Sequence, residues 1–122
     1  MAERLIWNTT LRAEAGPQLI GSGVIEVEAY DKVSILVPAG GHLDVDLGPG
    51  AAGRITVLAI VPAEPSVDLT YDVGGTAIAL DEPQFLYGGA VELTTNPATL
   101  AFANASAADA AVELLVGRDA TP

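Results

Sequence analysis

The sequence predicts an all-β chain: an antiparallel two-sheet β-sandwich, jelly-roll-like or Ig-like, of about nine or ten short strands. Three observations predict it. Apolar and polar residues alternate with a period of two through several stretches, which puts them on opposite faces of half-buried strands. Turn-forming clusters rich in Gly and Pro recur roughly every 8 to 12 residues, the spacing of an all-β domain. Residues 54–61, Arg-Ile-Thr-Val-Leu-Ala-Ile-Val, form an apolar run bracketed by Gly53 and Pro62. Its branched Ile55, Val57, Ile60 and Val61 stiffen it for a pleated backbone. Apolar side chains on both of its faces suit a central strand covered on both sides.

In chain order, residues 1–15 read as an N-terminal arm or first strand, and residues 16–122 as a single sandwich domain. The arm carries Leu5, Ile6, Trp7 and Leu11, and Trp7 is the only tryptophan. Such a residue anchors either an edge of its own sheet or a neighbouring subunit. Gly16-Pro17 breaks the arm, and Gly21-Ser22-Gly23 reads as a turn. Beyond it Ile25, Val27 and Ala29 face one way, Glu26 and Glu28 the other. Val33, Ile35 and Val37 resume the alternation, whether or not the chain turns at residues 30–32, and Pro38-Ala39-Gly40-Gly41 stops it. Leu43, Val45 and Leu47 then point inward and His42, Asp44 and Asp46 outward, until Gly48-Pro49-Gly50.

After the central strand, Val67, Leu69, Tyr71 and Val73 alternate inward. Gly74-Gly75, two residues free to take positive φ, joins them to residues 76–80 in a hairpin. Residues 84–87 make a short strand carrying Phe85 and Tyr87, and Gly88-Gly89 turns into another over residues 90–94. Residues 99–103 place Leu100 or Phe102 in the core. A small-residue loop follows over residues 104–109, and then a last strand over residues 110–116. A helix over the alanine-rich residues 105–115 is the competing reading, but it sets Val112 or Leu115 on a polar face.

Composition bounds function. A chain of 122 residues is the size of one domain. Without cysteine there is no disulfide, thiolate metal site or cysteine nucleophile. The net charge of −11 argues against nucleic acid and anionic membrane as partners, since both require a basic patch. No apolar run approaches the ~18 residues of a spanning helix, and residues 1–20 lack the pattern of a signal peptide. These features leave the compartment unassigned; a virion or other extracellular particle fits them.

No catalytic set emerges. His42 is the only histidine, so a two-histidine metal site is excluded. Ser22, Ser34, Ser66 and Ser106 all lie outside any G-x-S-x-G elbow. Glu26 with Glu28, and Asp44 with Asp46, put paired carboxylates about 7 Å apart on one strand face. They are the candidates for a hard cation, although alternating acids also serve simply to keep a sheet face solvated. Residues 48–53 are glycine-rich but lack the GK[ST] ending of a phosphate loop. Asn8-Thr9-Thr10 and Asn104-Ala105-Ser106 match the glycosylation sequon.

The expectation is therefore a non-enzymatic structural or assembly subunit without a cofactor. It would be an acidic sandwich that self-associates, as a cyclic homo-oligomer such as a trimer, through Leu5, Ile6, Trp7 and Leu11. It would dock on a larger protein assembly such as a virion or capsid surface. A mean hydropathy of +0.41 points to apolar surface buried between chains. The alternative is a carbohydrate- or ligand-binding module. That needs a flat row of exposed aromatics drawn from Trp7, Tyr30, Tyr71, Phe85, Tyr87 and Phe102.

Overall fold

The computed structural model describes residues 3–46, 55–73, 76–87 and 99–118, and every regular element among them is a strand. In chain order these are β1 (Glu3–Arg12), β2 (Gln18–Val27), β3 (Ala29–Val37), β4 (His42–Asp46) and β5 (Ile55–Pro62). β6 (Ser66–Val73), β7 (Thr76–Leu80), β8 (Gln84–Tyr87), β9 (Thr99–Asn104) and β10 (Ala110–Arg118) complete the set. β1 and β2 form a two-stranded ribbon. The other eight make two antiparallel sheets, ordered β3-β10-β5-β8 and β4-β9-β6-β7.

The pairing is nested. β3 pairs with β10, β4 with β9, β5 with β8 and β6 with β7, each antiparallel. The β10–β5 and β9–β6 pairs join these ribbons into sheets, and among the described strands successive ones from β3 onward alternate between the sheets except at β6–β7. This is a long antiparallel ribbon rolled on itself, the jelly roll, and not the Ig-like order. The sheets face each other across one apolar core. Val37, Leu58, Ile60 and Leu114 come from the first sheet, and Leu69, Tyr71, Leu100 and Phe102 from the second. Tyr71 and Phe102 pack with ring centroids 6.2 Å apart. The Tyr71 hydroxyl donates to Gln84 Oε1, and burial pushes its phenol above the usual pKa.

The predicted central strand spans Ile55–Pro62, and its two faces are covered by different things. Leu58 and Ile60 enter the core between the sheets, while on the outer face Val57 is buried beneath the β1–β2 ribbon and Ala59 lies at the ribbon's margin. The predicted stop at Pro38-Ala39-Gly40-Gly41 is a tight turn in which the Gly41 N–H donates to Pro38 O at 3.0 Å. Gly40 takes φ +65°, which costs glycine no steric clash. β6 and β7 pair with Val73 opposite Thr76, as the hairpin signal predicts. Both Leu100 and Phe102 reach the core, and residues 110–116 lie within a strand rather than a helix.

Other expectations are corrected. Gly21-Ser22-Gly23 is not a turn; it lies inside β2, and the chain reverses instead across residues 13–17. Ala29 does not face inward with Ile25 and Val27 but is exposed. β2 ends at Val27, and the intervening Glu28 N–H donates to Arg118 O at 3.0 Å, so the face changes at that bend. Val67 is exposed, because the β6–β7 register shifts between Ser66 and Thr70 and throws it outward. The strand predicted over residues 90–94, Leu47 and the loop over 48–53 lie outside the described residues.

Asn104 ends β9 as a buried polar side chain. Its Nδ2 donates to Val37 O at 3.2 Å and Ala108 O at 2.8 Å, and its Oδ1 accepts from Ser106 N at 3.0 Å and Ser106 Oγ at 2.7 Å. A fully bonded, buried amide is no glycan acceptor, so that sequon match is structural.

Candidate functional site

β1 and β2 pair in register from Glu3 with Val27 to Arg12 with Gln18. Strand alternation gives the ribbon two faces. Leu5, Trp7, Thr9 and Leu11 share one with Ile25, Gly23, Gly21 and Leu19; Ile6, Asn8 and Thr10 share the other with Val24, Ser22 and Ile20. The turn that joins the strands holds Ala13 N–H to Pro17 O at 3.0 Å and Gly16 N–H to Ala13 O at 3.1 Å.

The root of the ribbon is packed on the outer face of the β3-β10-β5-β8 sheet. The packing depends on missing side chains. A Cβ added to Gly117 would stand 2.9 Å from Leu5 Cδ1, 3.1 Å from Val27 Cγ1 and 3.2 Å from Val57 Cβ. On the ribbon itself the Trp7 indole lies across Gly21 and Gly23, where added Cβ atoms would come within 3.1 Å and 2.9 Å of the ring. The ring's far side stacks on Tyr87, with centroids 4.9 Å apart and planes 25° apart. Gly117, Val57 and Tyr87 are opposite one another on β10, β5 and β8, so the ribbon crosses the sheet toward its β8 edge.

Beyond Trp7 the ribbon loses its support. Leu11, Leu19 and Ile20 are 65–73% exposed there, and at the root Ile6 is equally exposed on the face turned away from Leu5 and Trp7. The sequence candidates Leu5, Ile6, Trp7 and Leu11 thus divide into two kinds. Leu5 and Trp7 are half-buried on the chain's own sheet, whereas Ile6 and Leu11 are presented outward. Sequence reasoning missed β2 as the arm's second strand. The signal was there: Gly21 and Gly23, two apart, share a strand face and leave room for one large ring.

Next to the covered row lies a second one. Lys32, Leu115, Ala59 and Phe85 are opposite one another on β3, β10, β5 and β8. Phe85 is 53% exposed, and Leu115 and Val61 are half-buried. A groove of about 220 Å³ runs here, rimmed by the Lys32 Nζ–Glu113 Oε2 pair at 3.4 Å. Between ribbon and sheet a cleft of about 230 Å³ is lined by Asn8 among aliphatic and aromatic side chains. Its size is below the ~300–1,000 Å³ of ordinary ligand sites.

The carboxylate candidates are scattered. Asp44 and Asp46 are exposed on β4, an edge strand of the other sheet, opposite Ala101 and Thr99 of β9. Glu26 lies on the ribbon opposite Arg4, and Glu28 at the bend before β3. Among the described residues, no three His, Cys, Asp or Glu side chains come together as metal ligands would. His42 is exposed at the start of β4, opposite Ala103. Of the aromatics, Tyr71 and Phe102 are core residues, Trp7 and Tyr87 cover each other, and Tyr30 and Phe85 stand on opposite edge strands of one sheet.

Comparison with protein-family models, with curated proteins and with solved structures gives no match.

Proposed function

We propose that the chain is a non-enzymatic structural subunit, a self-associating acidic jelly roll that docks on a larger particle such as a virion or capsid surface. The observation that carries this is the β1–β2 ribbon, fixed at its root by Leu5, Trp7 and Gly117, with Leu11 and Leu19 exposed on one face beyond it and Ile20 on the other. A projecting ribbon of this kind leaves aliphatic side chains in water unless another chain covers them. A closed ring, such as a trimer, gives every copy a covered arm. The charge of −11 keeps nucleic acid and anionic membranes away and leaves protein as the partner class. Jelly rolls also recur in viral capsid and lectin domains, an analogy of fold alone. The carbohydrate-binding alternative has less behind it, because the two well-exposed aromatics do not form a row.

Sedimentation equilibrium over a wide concentration range tests the reading, on the full chain and on a variant lacking residues 1–27. The full chain should be a homo-oligomer, and the truncated one a monomer that keeps its β circular dichroism. A full chain that stays monomeric at about 1 mM, with no larger assembly to join, refutes the proposal.

A further inference from the structure

We propose that Leu11 and Leu19, at the tip of the ribbon, seat in the Leu115–Ala59–Phe85 groove of a second copy of this chain. The inference rests on the assembly reading and gives it a specific contact.

The contact continues one that already exists within the chain. Leu11 and Leu19 lie on the same ribbon face as Leu5 and Trp7, the face that covers the row Gly117–Val57–Tyr87. Trp7 has already reached β8, the edge strand of that sheet. The four residues from Trp7 to Leu11 carry the ribbon a further ~13 Å, nearly three strand spacings of ~4.8 Å. Among the described residues no strand of its own sheet lies beyond β8, so the tip needs another surface. Leu11 and Leu19, directly opposite each other, present an apolar pair there.

The groove is the matching surface. It runs beside the row that the ribbon root covers, and Ala59, Val61, Phe85 and Leu115 line it. A second ribbon laid next to the first would cover one more row of the same sheet face, with Phe85 in the place of Tyr87 and Leu115 offering an apolar side chain where Gly117 leaves space.

Charge selects the same pair of surfaces. Residues 6–24 hold one base, Arg12, and one acid, Glu14, so the ribbon is neutral there and the whole −11 is on the rest of the chain. The groove's rim is the Lys32–Glu113 ion pair, also neutral. Two copies that repel through their acidic bodies can meet at these two places without that repulsion.

Two full-length variants test this, each altering exposed side chains: Leu11→Ser with Leu19→Ser, and Phe85→Ser. Mass is read by sedimentation velocity, with circular dichroism and melting as controls of fold. Each variant alone should dissociate at least tenfold more readily than the wild type. An equimolar mixture should recover a one-to-one pair and nothing larger, because one partner keeps an intact groove and the other an intact tip. Phe85→Leu, which keeps an apolar side chain, should assemble as the wild type does. As a readout independent of those substitutions, Leu11→Cys chains mixed with Phe85→Cys chains should form an intermolecular disulfide in air, since the protein has no other cysteine. If the wild type assembles but both Ser variants assemble equally well, or no mixed disulfide forms, this contact is wrong and self-association uses another surface. A monomeric wild type overturns both the contact and the assembly reading.

Discussion

Gly117→Ala is the sharpest perturbation of the ribbon's root, since it adds one methyl where three elements meet. Gly117 is paired on both sides within the sheet, and its φ is not positive, so alanine fits the backbone. The methyl has no room. Leu5 Cδ1, at 2.9 Å, is the end of a flexible side chain and can rotate away. Val27 Cγ1 at 3.1 Å and Val57 Cβ at 3.2 Å belong to stiff β-branched residues and must move by a few tenths of an ångström. Overpacking of this kind costs about 1–3 kcal/mol. Replacing a strand glycine returns about 0.5–1 kcal/mol of backbone entropy. The net loss is roughly 0.5–2 kcal/mol, or a fall in Tm of roughly 2–10 °C at this chain length. Trp7, as the only tryptophan, reports the same event optically: lifting the ribbon should uncover the indole from Tyr87 and shift its emission to the red. If the variant melts at or above the wild-type temperature with unchanged Trp7 emission, the ribbon does not sit on Gly117.

Neighbouring residues of β5 should fail differently. Leu58→Asp puts an unpaired charge in the core between the sheets and should abolish folding, at a cost of several kcal/mol. Val57→Asp should detach the ribbon and leave the jelly roll cooperative; identical behaviour of the two would contradict the layering. Asn104→Ala removes the amide donor to the Val37 carbonyl and the acceptor of the Ser106 N–H and should cost about 1–3 kcal/mol in denaturant unfolding, so a change under about 0.5 kcal/mol would refute the role given to that amide. Burial raises the Tyr71 pKa in the folded state, so the neutral phenol is favoured there. The associated stability is present below the unfolded value of about 10 and is lost as pH rises past it. Tyr71→Phe should flatten that alkaline loss in Tm measured between pH 9 and 11.5; an unchanged slope would assign it to other groups.

Much of the sandwich was legible because strand burial is written locally. His42 to Asp46 and Val33 to Val37 show their faces by alternation alone, and glycine and proline mark the gaps between them. The errors lie where a distant group overrode a local signal. Gly21-Ser22-Gly23 has turn composition, yet it is strand because Trp7, fourteen or more residues away, fills the space above it. Val67 follows the alternation, yet a register shift against β7 turns it outward. No part of the candidate site was fixed by a motif: Leu5, Ile6, Trp7 and Leu11 stood out as apolar, but their division into root and tip depends on where β8 ends.

By itself, then, the sequence determined the all-β class, most strand positions, the lack of cysteine chemistry and the acidic charge, all properties of residues and their immediate neighbours. Only the tertiary structure decided the jelly-roll order, because pairs such as Val37 with Ala110 are chosen by the fit of whole sheets across 73 residues of chain. It alone showed why residues 55–61 carry apolar side chains on both faces. Leu58 and Ile60 meet the other sheet, while Val57 meets the ribbon built from β1 and β2 and Ala59 lies at its margin. A single strand cannot record which of two distant partners will cover each side, since both ask for the same thing, a side chain that leaves water.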